Sequence, residues 1–174
     1  MHFFKQIKKT LTYRRVEAMT KKYSKFLSIP TDFNLEDSPY HWISQVHTQY
    51  VQNVDYALKK YGLDNSRRRI LLALKFKNRA SISDLSDMLI YKMSTTTKII
   101  YRLKDEGLVH TYSCEDDARI TRVLLTEKGQ QMIKKINDLS VVVLEQSFDG
   151  LTPLQIEKML HSLKHIFRNL APSH

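Results

Sequence analysis

A carboxylate and a guanidinium lie two residues apart in the segment DARITRVLLTEKG (117–129). Arg119 suits the minor groove of duplex DNA, because a narrowed groove concentrates negative potential. Asp117 is repelled by phosphate, so we expect it to hold Arg119 or a neighbouring backbone group in place. The pair therefore predicts a nucleic-acid contact made by Arg119 and supported by Asp117. The alternative interpretation is a solvated charged turn.

A second candidate contact segment begins with four hydroxyl-bearing residues and a lysine. The predicted DNA-contacting residues there are Ser94, Thr95, Thr96, Thr97, Lys98 and, one turn later, Arg102. Serine and threonine are poor helix formers because their side chains compete for backbone hydrogen bonds, so a helix made only for burial would not begin this way. Short hydroxyl and cationic side chains suit base edges and phosphates. The alternative is an elaborate N-cap on an ordinary helix.

Two short helices are predicted around this hydroxyl-rich run. Ser81 and Asp84 have the S-x-x-D spacing of a capping box, which predicts a helix from there to Ile90. Ser94 then begins a second helix that ends at Gly107. Two consecutive helices joined by a tight turn have helix-turn-helix geometry, in which the N-terminal residues of the second helix meet base edges in the major groove.

A β-hairpin is predicted after the second helix. The runs LVHTY (108–112) and RVLLT (122–126) are of β type, and they flank the charged tip that carries Arg119. A hairpin directly after a recognition helix is the wing of a winged helix. We therefore expect the strands to act as a lever arm for Arg119, and Thr126 to cap the next helix.

Long amphipathic helices flank this lobe, so the predicted fold class is mainly α with a small β wing (α+β). Ser38 and Pro39 predict the start of a helix that runs to Tyr61. Thr152 and Gln155 form a capping-box pattern at the start of the last helix. The apolar stripes of the first and last helices are too long for a lone lobe, and exposed patches of this kind mark interfaces. We therefore expect a homodimer.

The charge balance narrows the choice of partner. Lys and Arg number 28 against 18 Asp and Glu, which gives a formal net charge of +10 and an isoelectric point near 9.6. Such a balance favours polyanions, with nucleic acid first and an acidic membrane surface second. Much of the charge falls in residues 1–30, which we expect to form a basic amphipathic arm.

Composition also argues against several classes of protein. The chain has only 4 glycines, which disfavours phosphate-cradling loops and a doubly wound fold. Cys114 is the single cysteine, which excludes an intrachain disulfide and fits a reducing, cytoplasmic location. No apolar run approaches the roughly 20 residues that span a bilayer, and no secretory signal is recognisable. No arrangement of catalytic side chains stands out, so we expect neither enzymatic activity nor a cofactor.

The segments quoted above resemble the MarR family (multiple antibiotic resistance regulators) of winged helix-turn-helix proteins. The family's wing pattern D-x-R-x-x-x-V-x-L-T-x-x-G is matched by Asp117, Arg119, Val123, Leu125, Thr126 and Gly129. The stretches YGLDNSRRRILLAL (61–74) and LKDEGLV (103–109) resemble the family's second-helix entry and the end of its recognition helix. Two features depart from the pattern. Thr111 replaces an arginine that many members carry, and the tip CEDD (114–117) is unusually acidic.

The resemblance implies an obligate homodimeric transcriptional regulator that releases its operator DNA when a small molecule binds between lobe and dimer region. We take repression as the expected activity and double-stranded operator DNA as the expected partner. The predicted organisation is a basic extension and linker over 1–35 and a winged helix-turn-helix lobe over 62–126. A helical dimerisation region would be formed by 36–61 and 127–171.

A candidate effector site lies near the start of the first long helix. The predicted effector-binding residues are Tyr40, His41, Trp42, Gln45 and Arg68. Aromatic rings beside a cation suit a planar aromatic carboxylate, such as a hydroxycinnamate or an indole-acetate-like acid. Family members that regulate aromatic catabolism often use this region, so the resemblance points the same way. The equally weighted alternative is that Trp42 belongs to the core and the arginines contact phosphate.

Three further hypotheses stay open at this point. Cys114 would serve a redox sensor only if its surroundings lowered the thiol pKa. Glu157, His161 and His165 recur every four residues on one helix face, where two histidines could hold a metal, although a surface role is commoner and we expect no metal site. A basic module for protein interaction or membrane surfaces, based on the 1–30 arm, is the alternative outside DNA binding.

Overall fold

The computed structural model describes residues 23–26 and 34–171. The greater part of the arm expected over 1–30, and residues 31–33 of the linker that follows it, lie outside these described residues. The described chain consists of helices and one small antiparallel sheet, which confirms the expected α+β class.

The order of elements matches the sequence prediction closely. The elements are α1 (Pro39–Leu58), α2 (Asn65–Phe76), β1 (Ala80–Ser81), α3 (Ile82–Leu89), α4 (Met93–Asp105), β2 (Val109–Ser113), β3 (Thr121–Leu125), α5 (Glu127–Phe148) and α6 (Pro153–Leu170). Short 3-10 helices occupy Ser24–Phe26, Leu35–Asp37 and Lys59–Tyr61. None of the helices that the structure describes is long and apolar enough to cross a bilayer.

Helix starts follow the capping residues that the sequence predicts. The Ser38 Oγ accepts a hydrogen bond of 3.4 Å from the backbone N–H of His41 at the start of α1. The Thr126 Oγ1 accepts from the backbone N–H of Gly129 at 2.9 Å, which caps α5. Capping boxes with reciprocal hydrogen bonds are formed at the starts of α3 and α6. Each of these bonds satisfies a backbone donor that the helix itself leaves unpaired.

The start of α4 differs from the prediction by one residue. Lys92 occupies the N-cap position without a side-chain hydrogen bond, and Met93 is the first helical residue. Ser94 therefore lies inside the first turn rather than at its start. Its side chain is exposed, which a contact with DNA requires.

The sheet has the strand order β1-β3-β2, and all pairings are antiparallel. Val123 is paired with Thr111 on one side and with Ala80 on the other, so the central strand joins the hairpin to the helix-turn-helix. The sequence did not reveal β1, because a strand of two residues is too short to show an alternating pattern.

The core of the winged helix lies between α2, α3, α4 and the sheet. Its fully buried side chains include Ile70, Leu71, Leu85, Ile100, Leu103 and Val123. Gly129 in α5 packs directly on the hairpin, and a Cβ at this position would overlap the carbonyl oxygen of Leu108. The glycine that ends the wing pattern is therefore required by close approach of α5 to the backbone before β2.

The chain divides into two compact units. One unit comprises 49–147 and holds the winged helix with the C-terminal part of α1 and most of α5. The other comprises the described residues up to 48 together with those from 148 onward, including all of α6. The predicted lobe over 62–126 is thus part of a larger compact unit. The assignment of 36–61 and 127–171 to a dimerisation region stays a prediction.

Candidate nucleic-acid interface

The turn between α3 and α4 is held by a partly buried polar cluster. The Arg69 guanidinium donates to the Tyr91 hydroxyl at 2.8 Å and to the Leu89 carbonyl at 3.1 Å. The Ser86 hydroxyl donates to the Tyr91 carbonyl at 2.7 Å. Ile90 has a φ of 56°, a left-handed conformation that is unusual for a β-branched residue. These bonds fix the direction in which α4 leaves the turn.

Arg67 contacts the C-terminal end of α4 through Glu106. This arginine is buried, and it donates to the carboxylates of Asp64 and Glu106 and to the Gly62 carbonyl. Arg102 lies one turn before Glu106, with Nε 3.5 Å from the Glu106 Oε1. Arg67 is the buried charge in this cluster, and its hydrogen-bonded carboxylate partners offset the cost of burying it.

Most of the predicted contact residues on α4 lie at the surface. Ser94, Thr95, Lys98 and Arg102 are exposed. Thr97 is half-buried, and its hydroxyl donates to the Met93 carbonyl at 2.9 Å. The exposed members of the set form the side of α4 that is free to meet a partner.

The prediction for Thr96 is wrong. Its side chain is 0% exposed, and its hydroxyl donates to the Lys92 carbonyl at 3.3 Å. Thr96 precedes buried Ile100 by four residues, so both lie on the face of α4 that packs into the core. A side chain without accessible surface has no way to touch a base or a phosphate, and Thr96 is a packing residue.

The wing tip has the geometry expected for its charged pair. The Asp117 carboxylate accepts from Nε and Nη2 of Arg119, each at 3.0 Å, and from the Arg119 backbone N–H at 3.0 Å. The Arg119 side chain is nevertheless 91% exposed. Hydrogen bonds from Arg119 also lower the pKa of Asp117. Asp117 thus orients a guanidinium that keeps most of its surface available.

The base of the wing is tied to the helix-turn-helix through Asp84. Its carboxylate accepts from the Lys77 ammonium at 2.8 Å and from the Ser81 backbone N–H at 2.8 Å, and these bonds lower the pKa of Asp84 to about 2. Arg122 of β3 lies 3.6 Å from the same carboxylate and donates to the Arg79 carbonyl at 3.3 Å. The sequence predicts Asp84 only as a capping residue, so its ion pairs with Lys77 and Arg122, which tie the hairpin to the helix-turn-helix, were not foreseen.

Cys114 lies just after β2 and is partly exposed. The pKa of its thiol is lowered, first by the backbone N–H of Asp116 and then by the guanidinium of Arg122. A lowered thiol pKa is the condition that a redox role requires, so the redox hypothesis for Cys114 stays open. The other sensing candidates, Glu157, His161 and His165, are exposed on α6. Within the described residues, no three His, Cys, Asp or Glu side chains meet in a group that could hold a metal.

A groove of about 500 Å³ runs between the recognition helix and the wing. It is lined by Ser81, Ile82 and Ser83 from the start of α3, by Met93, Thr97 and Tyr101 from α4, and by Arg119, Ile120 and Thr121 from the wing. Sequence reasoning identified Thr97 and Arg119 but missed Met93 and Tyr101. The spacing of four residues from Met93 to Thr97 and from Thr97 to Tyr101 was the signal that could have found them.

The predicted effector residues fall in different compact units. Tyr40, Trp42 and Gln45 are exposed near the start of α1, and the Trp42 indole N–H donates to the Glu36 carbonyl at 2.9 Å. The ring centroids of His41 and Trp42 lie 5.4 Å apart in an edge-to-face arrangement. These contacts, and the exposure of Trp42, argue against a core role for its ring.

Arg68 belongs to the unit that contains the winged helix and is buried. Its guanidinium donates to the Tyr50 hydroxyl at 2.6 Å and to the Asn65 side-chain oxygen at 3.1 Å. Within the part of the chain that is described, no carboxylate pairs with Arg68. Its burial does not fit the alternative in which this arginine contacts phosphate.

The fold agrees with comparisons to known proteins. Residues 63–129 match the family described as "Winged helix DNA-binding domain". The HTH-type transcriptional repressor IacR of Pseudomonas putida is 40% identical over 139 residues, which cover 80% of this chain and 83% of IacR.

Solved structures show the same architecture. BpsR of Bordetella bronchiseptica superposes with a TM-score of 0.73 at 18% identity, over 81% of this chain and 99% of BpsR. A MarR transcriptional regulator from Methanosarcina mazei gives a TM-score of 0.68 at 28% identity, over 73% of this chain and 91% of that protein. These relatives are DNA-binding regulators rather than enzymes. The chain therefore belongs to the MarR family of winged helix-turn-helix transcriptional regulators.

Proposed function

We propose that the protein is a homodimeric repressor that binds a pseudo-palindromic operator and releases it when a small aromatic carboxylate binds. The observation that carries the ligand response is Arg68, a buried cation that has only neutral partners among the described residues. The name of IacR supports repression. Exposed Ser94, Thr95, Lys98 and Arg102 would contact the major groove, and Arg119 the minor groove.

The proposed dimer accounts for an uncovered apolar face. None of the residues of α6 is buried. Its exposed apolar side chains are Leu154, Met159, Leu160, Leu163, Phe167 and Leu170. The start of α1, in the same compact unit, exposes Tyr40, Trp42, Ile43 and Val46. Apolar faces of this length are costly to leave in water, so a second copy of the chain is the natural partner for them.

A sedimentation experiment tests the dimer directly. Leu163→Glu should shift the protein toward the monomer, because burying an unpaired carboxylate at an apolar interface is unfavourable. Ser162→Glu, at the adjacent position, should remain dimeric because Ser162 is outside the apolar set and its hydroxyl only donates to the Lys158 carbonyl. A wild-type monomer at micromolar concentration contradicts the proposed assembly.

The effector proposal rests on the surroundings of Arg68. Its Cζ lies 5.5 Å from the centroid of the Tyr50 ring, whose hydroxyl also accepts one of its hydrogen bonds. Beside it is a small cavity with apolar walls from α1 and α5, lined by Val54, Ala57, Leu58, Ile136, Leu139, Ser140 and Val143. A buried charge without a counter-ion favours an anion. Apolar walls beside that charge favour a ligand with a ring.

The cavity is too small for an aromatic acid, so binding would have to move the helices that surround it, and this movement could release DNA. Its space for water-sized molecules is only about 10 Å³, too little for an aromatic acid. Binding would therefore have to separate α2 from α1 and α5, and α2 packs on α4 through the core. A ligand that prefers the opened state shifts the population toward it. A 100-fold loss of DNA affinity requires about 2.7 kcal/mol of such preference.

The fold is compatible with such a response, since the DNA binding of BpsR is regulated by 6-hydroxynicotinic acid, an aromatic acid. Tyr40, His41, Trp42 and Gln45 belong to the other compact unit, where they stay a separate candidate site for the acid. We propose testing hydroxycinnamates and indole acetate by gel shift, while following the fluorescence of Trp42, the single tryptophan. An effective acid should weaken DNA binding of the wild type and change its fluorescence.

Arg68→Gln should keep DNA binding and lose the response to the acid. Lys75→Gln removes one charge from the same helix at an exposed position, so it should respond like the wild type. If no aromatic acid acts at millimolar concentration while peroxide or a metal ion does, the effector proposal is wrong. A metal- or redox-responsive regulator of the same fold is then the better description.

A further inference from the structure

The exposed surface of the recognition helix contains an apolar stripe beside its polar contact residues. Met93, Thr97 and Tyr101 follow one another at intervals of four residues, so they share one face of α4. Met93 and Tyr101 are each 48% exposed. The hydroxyl of Thr97 donates its proton to the Met93 carbonyl at 2.9 Å, so this side chain offers a partner its methyl group and no hydrogen-bond donor.

The stripe forms one wall of the groove between α4 and the wing. Ile120, 36% exposed, and Arg119 line the same groove from the wing. The groove residues all lie within 63–129, the segment that matches the winged helix DNA-binding domain. The groove is thus continuous with the DNA-binding face, and the exposed Lys98 on α4 and Arg119 at its edge give it the positive charge that suits duplex DNA.

The chemistry of the stripe selects a particular feature of DNA. Base edges in the major groove present hydrogen-bond donors and acceptors, and the C5-methyl group of thymine is the apolar group among them. A thioether and a threonine methyl offer little to a donor or acceptor, but they can bury a methyl group. We propose that Met93, Thr97 and Tyr101 contact thymine methyl groups and so determine which A·T pairs the protein prefers. This inference rests on the operator binding proposed above.

The test removes the methyl group without changing the hydrogen-bonding pattern. Duplexes would be selected from a random-sequence library with the full-length protein, and each thymine of an enriched duplex would be replaced in turn by deoxyuridine. Removing one buried methyl group should weaken wild-type binding about three- to five-fold at the thymines that face the stripe. Replacement at other thymines should leave the affinity unchanged.

Variants identify the residues that respond to the methyl group. Met93→Ala and Tyr101→Ala should bind the thymine and deoxyuridine duplexes almost equally. Each variant lacks the side chain that contacts the methyl group, so removing the methyl group from the DNA has no further effect. Met88→Ala is the matched control, since Met88 is 42% exposed on α3 and does not line the groove. It should retain the wild-type discrimination. Thermal unfolding of each variant establishes that it is folded.

The two proposals fail in different ways. If a sequence is enriched but no deoxyuridine replacement weakens binding, the thymine-methyl proposal is overturned and operator binding stands. Full discrimination retained by both Met93→Ala and Tyr101→Ala overturns it as well. If the library yields no enriched sequence, operator recognition itself fails, and the inference built on it fails too. Displacement of duplex by a small apolar molecule held in the groove, without any thymine dependence, would assign the groove to a ligand instead.

Discussion

Arg119 is held by Asp117 through two parallel hydrogen bonds of 3.0 Å, although 91% of the arginine side chain is exposed. An exposed ion pair contributes little to folding stability. Its effect is to limit the directions that a long, flexible side chain can take. A guanidinium already held in one orientation loses less conformational entropy when it meets DNA.

Asp117→Asn should therefore weaken operator binding, although it removes a negative charge from a surface proposed to face phosphate. Simple electrostatics predicts the opposite sign, so the direction of the change decides between the two effects. Arg119→Ala should cost more, about 1–3 kcal/mol of binding free energy. Glu115→Gln, a neighbouring exposed carboxylate in the tip, is the control and should bind equally well or better. Fluorescence anisotropy at a fixed salt concentration measures all three.

The burial of Thr96 leads to a second prediction. Thr96→Val should leave operator affinity unchanged, because the side chain has no exposed surface and its hydroxyl is used within the helix. Lys98→Ala removes a cation proposed to meet the phosphates that border the major groove, so it should weaken binding to all sequences and reduce the salt slope by about one. A large loss of affinity for a folded Thr96→Val protein would contradict the assignment of Thr96 to the core.

These residues also mark what the sequence can predict. Capping boxes such as Ser81 with Asp84 were found because both partners lie within one turn of helix. The residue type of Thr96 suggests a polar contact. Its position four residues before the apolar Ile100 indicates burial, and the structure shows that the position decides. The salt bridge between Arg122 and Asp84 and the strand β1 depend on pairing between distant parts of the chain, for which the sequence contains no local signal.

The carboxyl of Asp84 predicts a dependence of stability on pH. Its pKa is lowered from 3.8 to about 2 by Lys77 and the Ser81 backbone N–H. A group whose pKa is lowered in the folded state stabilises the fold above its unfolded pKa, and the contribution is lost as the pH falls through the folded pKa. Asp84→Asn should thus lower the melting temperature at neutral pH. Its difference from wild type should shrink as the pH falls from 3.8 to about 2. Asp138→Asn, on the exposed side of α5, should have nearly the same melting temperature as the wild type at neutral pH and at low pH.

Ile90 offers a prediction in which the substitution stabilises the protein. Its φ of 56° lies in the left-handed region, where a β-branched residue is strained. Its side chain is 72% exposed, so packing of the side chain does little to offset this strain. The left-handed conformation costs an L-residue roughly 1–2 kcal/mol. Glycine relieves this strain but loses about 0.5–1 kcal/mol more backbone entropy on folding. Ile90→Gly should therefore raise the free energy of unfolding by up to about 1.5 kcal/mol, the largest difference between these two effects.

Met88→Gly provides the contrast, because Met88 lies two residues earlier, in the last turn of α3, and is also exposed, at 42%. Glycine costs up to about 1 kcal/mol at a helical position with ordinary right-handed backbone, so this variant should be less stable than the wild type. Urea unfolding of both variants, with equal m-values, measures the two changes on one scale. If Ile90→Gly is destabilised as much as Met88→Gly, the left-handed conformation at position 90 is not strained, and the turn before α4 must gain its stability from the isoleucine side chain.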